Sequence, residues 1–283
     1  MGKRFIALLA CIVLGLVGCG RSSEVRNDPN LDAQQILDKA LEYNILGEGI
    51  GPQDQVIDVA FKAKFASDGS TGDMDMSMLL RQSGDQQMMD MDMTLKANFD
   101  GRSGDARVWM MVEKDGDAYN VYARRELPTK TTTRTQSSEY GRDSLDEAEL
   151  KELMSNSVST SPEIGDYLAD VEKLGAYEED GAFIIEAVPS NQTIKRIMTQ
   201  SGNGKDFDDA SVEDVSTRLV VDKESYRPRQ FTMDLKMNFS LDKHKGKVEF
   251  NVDINVRDED VTLSVPDEAA NAPEVDLERF MSN

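Results

Sequence analysis

The chain has 283 residues, with 53 acidic against 32 basic side chains, a net charge of −21, one histidine and two cysteines. So acidic a balance repels nucleic acid and anionic headgroups, and it excludes a basic patch as the means of holding a membrane. The length allows one large β domain with a substantial core, or two small ones, and a single domain is the expectation.

Lys3 and Arg4 form a positive n-region, Phe5 to Leu14 an apolar h-region, and Leu16-Val17-Gly18-Cys19 closes it with small residues before a cysteine. This resembles the lipobox of bacterial lipoproteins. The resemblance implies that residues 1–18 are a signal peptide and that Cys19 becomes an acylated N-terminus. It also implies anchoring on the extracytoplasmic face of the bacterial cell membrane, where two or more acyl chains hold better than one. The apolar run is too short for a spanning helix, and residues 19–30 read as a polar tether. Cys11 then leaves with the signal and Cys19 is spent on lipid, so no thiol remains for catalysis, a disulfide or a metal. His244 lies in a charged stretch, Asp242-Lys243-His244-Lys245, read as a turn between strands. Without a second His or Cys, neither a usual zinc site nor a Ser-His-Asp or Cys-His pair is expected, and no cofactor is implied.

Residues 31–46 predict a helix capped by Asn30 or Asp28, with Ile36, Leu37, Ala40, Leu41 and Ile45 on one face. Gly47, Gly49, Gly51 and Pro52 end it. Their spacing does not fit a phosphate loop. A meander follows. Ile57, Val59, Phe61, Ala63 and Phe65 alternate with polar residues, as do Met74, Met76, Met78 and Leu80, and then Met89, Met91, Met93, Leu95, Ala97 and Phe99. A Gly84-Asp85 turn with Ser83 paired to Gln86 keeps these apolar sets on one face. The other face reads Asp73, Asp75, Asp90, Asp92 and Lys96, and is expected to be wet. A turn over 100–105 leads to Ala106, Val108, Met110 and Val112, and a turn at 114–117 leads to Tyr119, Val121 and Ala123. Residues 127–143 read as a loop or edge segment.

Ser144-Leu-Asp-Glu147 reads as a capping box for a short helix to Asn156. A second helix starts near Pro162 and carries Ile164, Tyr167, Leu168 and Val171. The segment 177–183 reads as a tight hairpin, and Ser190 as the cap of a third helix. The acids of 202–209 miss EF-hand spacing and read as a solvated loop. In the C-terminal third, Val215, Thr217, Leu219 and Val221 alternate, then Phe231, Met233, Leu235, Met237, Phe239 and Leu241, answered by Val248, Phe250, Val252, Ile254 and Val256. Pairing Leu241 with Val248 aligns that hairpin. Val261, Leu263 and Val265 predict a last strand, and residues 267–283 an acidic, loosely held tail.

The order of elements, an N-terminal helix, a long-stranded antiparallel meander, inserted helices and more strands ending in Val265-Pro266, resembles the LolA/LolB and LppX/LprG group of bacterial envelope proteins. The most family-like local stretch is the Asp222-Lys-Glu-Ser-Tyr-Arg-Pro228 turn. The resemblance implies an α+β domain over residues 31–266. Its curved antiparallel sheet is a half-barrel whose apolar cavity is covered by helices, and the closer likeness is a lipoprotein of a Gram-positive cell surface.

Long one-sided strands with few helices point to a groove for a greasy ligand, a lipid or an acylated protein. Methionine suits such a surface because its unbranched thioether adapts to varied shapes. The expected lining is Phe61, Met76, Met78, Leu80, Met91, Met93, Met110, Phe231, Met233, Leu235 and Met237. Three other readings stand beside it. These methionines can fill a closed core, the domain can be a ligand-free sensor or scaffold, and Met76, Met78, Met91 and Met93 can form a Cu(I) site of thioethers. Enzyme activity is not expected. The carboxylates alternate onto the wet face, and a lone Trp109 is a thin platform for a sugar.

Overall fold

A computed structural model describes residues 24–43, 53–67, 70–126, 138–158, 164–168, 170–194, 211–241 and 244–282. The strands are β1 (Gln55–Ser67), β2 (Ser70–Ser83), β3 (Met88–Phe99), β4 (Arg102–Asp115), β5 (Ala118–Glu126), β6 (Ser138–Leu145), β7 (Val171–Glu179), β8 (Ala182–Pro189), β9 (Ser211–Asp222), β10 (Pro228–Leu241) and β11 (His244–Arg257). Around them lie α1 (Ala33–Leu41), α2 (Glu147–Val158), α3 (Ile164–Leu168), α4 (Asp267–Ala270) and α5 (Leu277–Ser282). The strands join in one 11-stranded sheet in the order β6-β5-β4-β3-β2-β1-β11-β10-β9-β8-β7. β6 and β7 are its two ends, so the sheet stays open. This is the expected α+β class, a long-stranded antiparallel sheet of the half-barrel kind with short helices.

By packing, the chain forms two compact units. One comprises Met1–Ile45, Phe61–Asp73 and Thr160–Asn255, the other Leu46–Ala60, Met74–Ser159 and Val256–Asn283.

In the first unit, α1 packs Ile36, Leu37 and Ala40 towards β7 and β8. Its cap is Asp32, whose carboxylate accepts the Gln35 N–H; Asp28, one of the two expected caps, instead closes a turn on the Asn30 N–H. β7 begins at Val171, which was expected to continue a helix, and it runs through Gly175. A Cβ at Gly175 would strike the Arg26 carbonyl, so only glycine admits the chain that crosses there. That chain is part of the expected tether. The N–H of Asp28 donates to the Ala176 carbonyl at 2.7 Å, the N–H of Ala176 to Asn27 Oδ1 at 3.1 Å, and the N–H of Arg26 to Glu186 Oε2 at 2.9 Å. Residues 25–28 thus cover the β7 edge, whose unpaired groups would otherwise invite another strand.

The Asp180-Gly181 turn has φ of 49° and 79°, the paired left-handed conformation that two-residue hairpins need. Ser190 Oγ accepts the Thr193 N–H at 3.0 Å, as a cap should. β10 and β11 pair with Met237 opposite Val248 and Leu235 opposite Phe250, four residues from the expected register, with Leu241 opposite His244. His244 therefore opens a strand. An even shift leaves every apolar residue on its face, so alternation cannot distinguish these registers.

In the second unit the hairpin turns are tighter than expected at 100–105, where Asp100 and Gly101 alone turn the chain with φ of 49° and 76°. The turn after β2 is looser. It takes residues 84–87, with Gln87 at φ 54°, so β3 starts at Met88 and the expected pairing of Ser83 with Gln86 is replaced by a four-residue turn. β6 runs to Leu145 against Tyr119, which carries Ser144 into the sheet. The capping box accordingly lies two residues on, between Asp146 and Glu149, each backbone N–H donating to the other's carboxylate at 2.9 Å.

Residues 258–266 are not a strand, and the segment after them is not loose. The chain leaves β11 and lies across the sheet face that was expected to be wet. There Val261, Leu263 and Ala269 bury themselves with Val56, Met88, Trp109 and Met111, beside Leu79, Tyr122, Tyr140 and Val265. Side chains make the attachments that a neighbouring strand would make. Asp54 accepts the N–H of Gly84 at 2.7 Å and that of Val261 at 3.0 Å. Gln86 donates to the Leu263 carbonyl at 2.9 Å and accepts the Leu263 N–H at 2.7 Å. Further on, the Arg142 N–H donates to the Pro273 carbonyl and the Val275 N–H to the Arg142 carbonyl, both at 3.0 Å, which covers the β6 edge.

Candidate functional site

β3 and β4 pair Met89 with Val112, Met91 with Met110, Met93 with Val108 and Leu95 with Ala106. Alternation places these residues on one face, and Leu79, packed on the other, puts Met76, Met78 and Leu80 on the same side as Met91. Burial along this face is graded. Met91 and Met110 are 3% and 2% exposed, and Met89, Val112, Leu80 and Met74 are also buried. Met76, Met78, Met93, Leu95 and Val108 are only partly buried. On β3 and β4 the cover thus thins between the Met91–Met110 pair and the Met93–Val108 pair, and on β2 the partly buried Met76 and Met78 lie between buried Leu80 and buried Met74.

The expected lining falls into two sets. Met76, Met78, Leu80, Met91, Met93 and Met110 come together in the second unit. In the first unit, Phe231, Met233, Leu235 and Met237 are buried along β10, and Phe61 is partly buried with its ring 5.7 Å from that of Phe250. Tyr167 of α3 stacks at 6.2 Å on Phe231. Cys19 lies outside the described residues.

A buried polar cluster on the opposite face was missed. Asp90, expected on the wet side, is 1% exposed, accepts the Trp109 Nε1–H at 2.5 Å and pairs with the Arg81 guanidinium. Two donors, one on each oxygen, satisfy the carboxylate, which is what lets it stay under the C-terminal segment. Its neighbour Asp92 takes Arg107 in a two-pronged pair, and this raises the Arg107 pKa. The missed signal was in the sequence. Val108-Trp-Met-Met-Val112 is apolar without alternation, the pattern of a strand buried on both faces. Trp109 is thus a core residue holding a carboxylate.

The Asp54 carboxyl is held below its ordinary value, first by the Val261 N–H and then by that of Gly84. In the Asp222–Pro228 turn, the Ser225 N–H and hydroxyl, with Arg229, hold Asp222 at about 2. That turn seats α1, since Tyr43 donates to the Ser225 carbonyl at 2.8 Å and Lys39 lies 4.1 Å over the Tyr226 ring. Among the described residues, no group of three or more His, Cys, Asp or Glu is placed to hold a metal ion, and no helix is long and apolar enough to cross a membrane.

Residues 144–274 match a family model described as a family of unknown function, DUF6612. No curated protein matches the chain. Among solved structures, the chain is similar to a beta-barrel-like protein of domain of unknown function DUF1849 from Brucella abortus, at 8% identity and a TM-score of 0.25, over 74% of this chain and 99% of that one. It is also similar to a DUF1329 family protein from Desulfovibrio piger, at 14% identity and a TM-score of 0.23, over 82% and 95% of the two chains.

Proposed function

We propose that the protein is a lipoprotein of the bacterial cell envelope, anchored through Cys19, that binds a lipid or the acyl chain of a modified partner on the methionine-rich face of its sheet. The role is one of binding rather than catalysis. The observation that supports the reading is the thinning of cover between Met91–Met110 and Met93–Val108, where the apolar face continues with its side chains only partly buried. Methionine there offers polarisable contacts to chains of varying shape. Each methylene of an acyl chain seated on such a face contributes about 0.8 kcal/mol before ordering costs. The lipobox-like N-terminus supplies the anchoring half of the reading, and the acidic surface leaves the acyl chains as its membrane contact.

Native mass spectrometry of the protein with Cys19→Ser and no signal peptide, before and after exposure to a bacterial lipid extract, tests the binding half. Lipid adducts that Met93→Asp abolishes are expected. A sharp unliganded mass under both conditions contradicts it.

A further inference from the structure

We infer that the docking of residues 25–28 makes the β7 edge of the first unit the side turned to the bilayer that carries the anchor, and holds that edge close to it. The inference rests on the proposal that Cys19 carries the anchor. The sequence from Arg21 to Asn30 has the composition of a leash, yet its second half is docked. Asp28 and Ala176 are joined at 2.7 Å, Asn27 returns a bond to the Ala176 N–H, Arg26 donates to Glu186 and lies 4.1 Å over the Tyr177 ring, and Gly175 lacks the Cβ that would keep the chain off. Six residue steps separate Cys19 from Val25, a reach of at most about 20 Å. Were the chain free up to the N-cap at Asp32, thirteen steps would reach about 45 Å. The docking thus shortens the leash by more than half and fixes which edge of the sheet it leads to.

Energy transfer from a donor on β7 to an acceptor lipid measures this in the full, processed protein. Acylation blocks Cys19 and Cys11 leaves with the signal, so Glu172→Cys supplies the one free thiol, on an exposed position three residues from Gly175. Vesicles of phosphatidylethanolamine and phosphatidylglycerol carry the acceptor. A ten-residue Gly/Ser insertion between Glu24 and Val25, upstream of the docked segment, lengthens the leash by roughly 17 Å and is expected to cut transfer about twofold. The same insertion between Asn30 and Leu31, downstream of it, is expected to leave transfer unchanged. Equal effects of the two insertions, whether both lower transfer or neither does, overturn the inference while acylation of Cys19 stands. An unmodified Cys19 by peptide mass overturns the anchor and the inference together.

Discussion

Gln86 and Leu263 exchange two hydrogen bonds, side-chain Nε2–H to carbonyl at 2.9 Å and backbone N–H to Oε1 at 2.7 Å, across 177 residues of sequence. A glutamine side chain here does the work of an adjacent strand. It holds an extended segment flat on a sheet face, where no ladder is available to satisfy its backbone.

Gln86→Ala should therefore loosen the C-terminal segment without unfolding the sheet. Losing both bonds costs roughly 1–2 kcal/mol, because the freed Leu263 groups recover water as the segment lifts. Amide exchange at Leu263 should quicken about tenfold, with the Met110 and Val112 amides unaffected, as hydrogen exchange resolved by residue will report.

Asp54 makes the same attachment sensitive to acid. Its folded pKa lies below the unfolded value of 3.8, so its stabilising contribution is fully present above that value and is lost as pH falls through the lowered one. On acidification below pH 4 the segment over Trp109 should detach earlier than the sheet melts. Trp109 is the only tryptophan, so its emission reports the event, shifting to longer wavelength. Asp54→Asn should show the shifted emission already at neutral pH.

Asp90 and Trp109 should prove unequal partners. Asp90→Ala strands a buried indole N–H and takes the counter-charge from Arg81, costing about 3 kcal/mol. Trp109→Phe leaves Asp90 its arginine and keeps most of the apolar contact, and should cost about half as much. Urea midpoints at constant slope decide the order.

Gly175→Ala should release residues 25–28 from β7, since the added methyl occupies the place of the Arg26 carbonyl. Tryptic cleavage after Arg26 is expected to be slow in the parent protein and fast in the variant, with cleavage elsewhere unchanged. Cleavage at the parent rate would mean that the crossing is not held as described.

Much of this fold is legible in the sequence because period-two alternation is a direct consequence of strand geometry. Met89 to Phe99 and Phe231 to Leu241 are strands with the apolar face expected of them. Register was not legible where an even shift preserves the faces, as between β10 and β11. The covered second face was hidden for a different reason. Val261, Leu263 and Val265 alternate as a strand would, and alternation alone does not say whether the neighbour is a strand edge or a sheet face. The deciding residues, Asp54 and Gln86, lie about two hundred residues away and look like ordinary turn polars. The graded exposure of Met76, Met78 and Met93 was likewise invisible, since it depends on where the covering elements end and not on the strand's own pattern.

Methionine oxidation footprinting reads whether Met76, Met78 and Met93 form an apolar face that takes a ligand. Under brief exposure to hydrogen peroxide, Met76, Met78 and Met93 should oxidise ahead of Met91 and Met110. Bacterial lipid extract should slow the first group severalfold and leave the second unchanged. Equal oxidation rates with and without lipid at Met76, Met78 and Met93 would mean that this face takes no lipid.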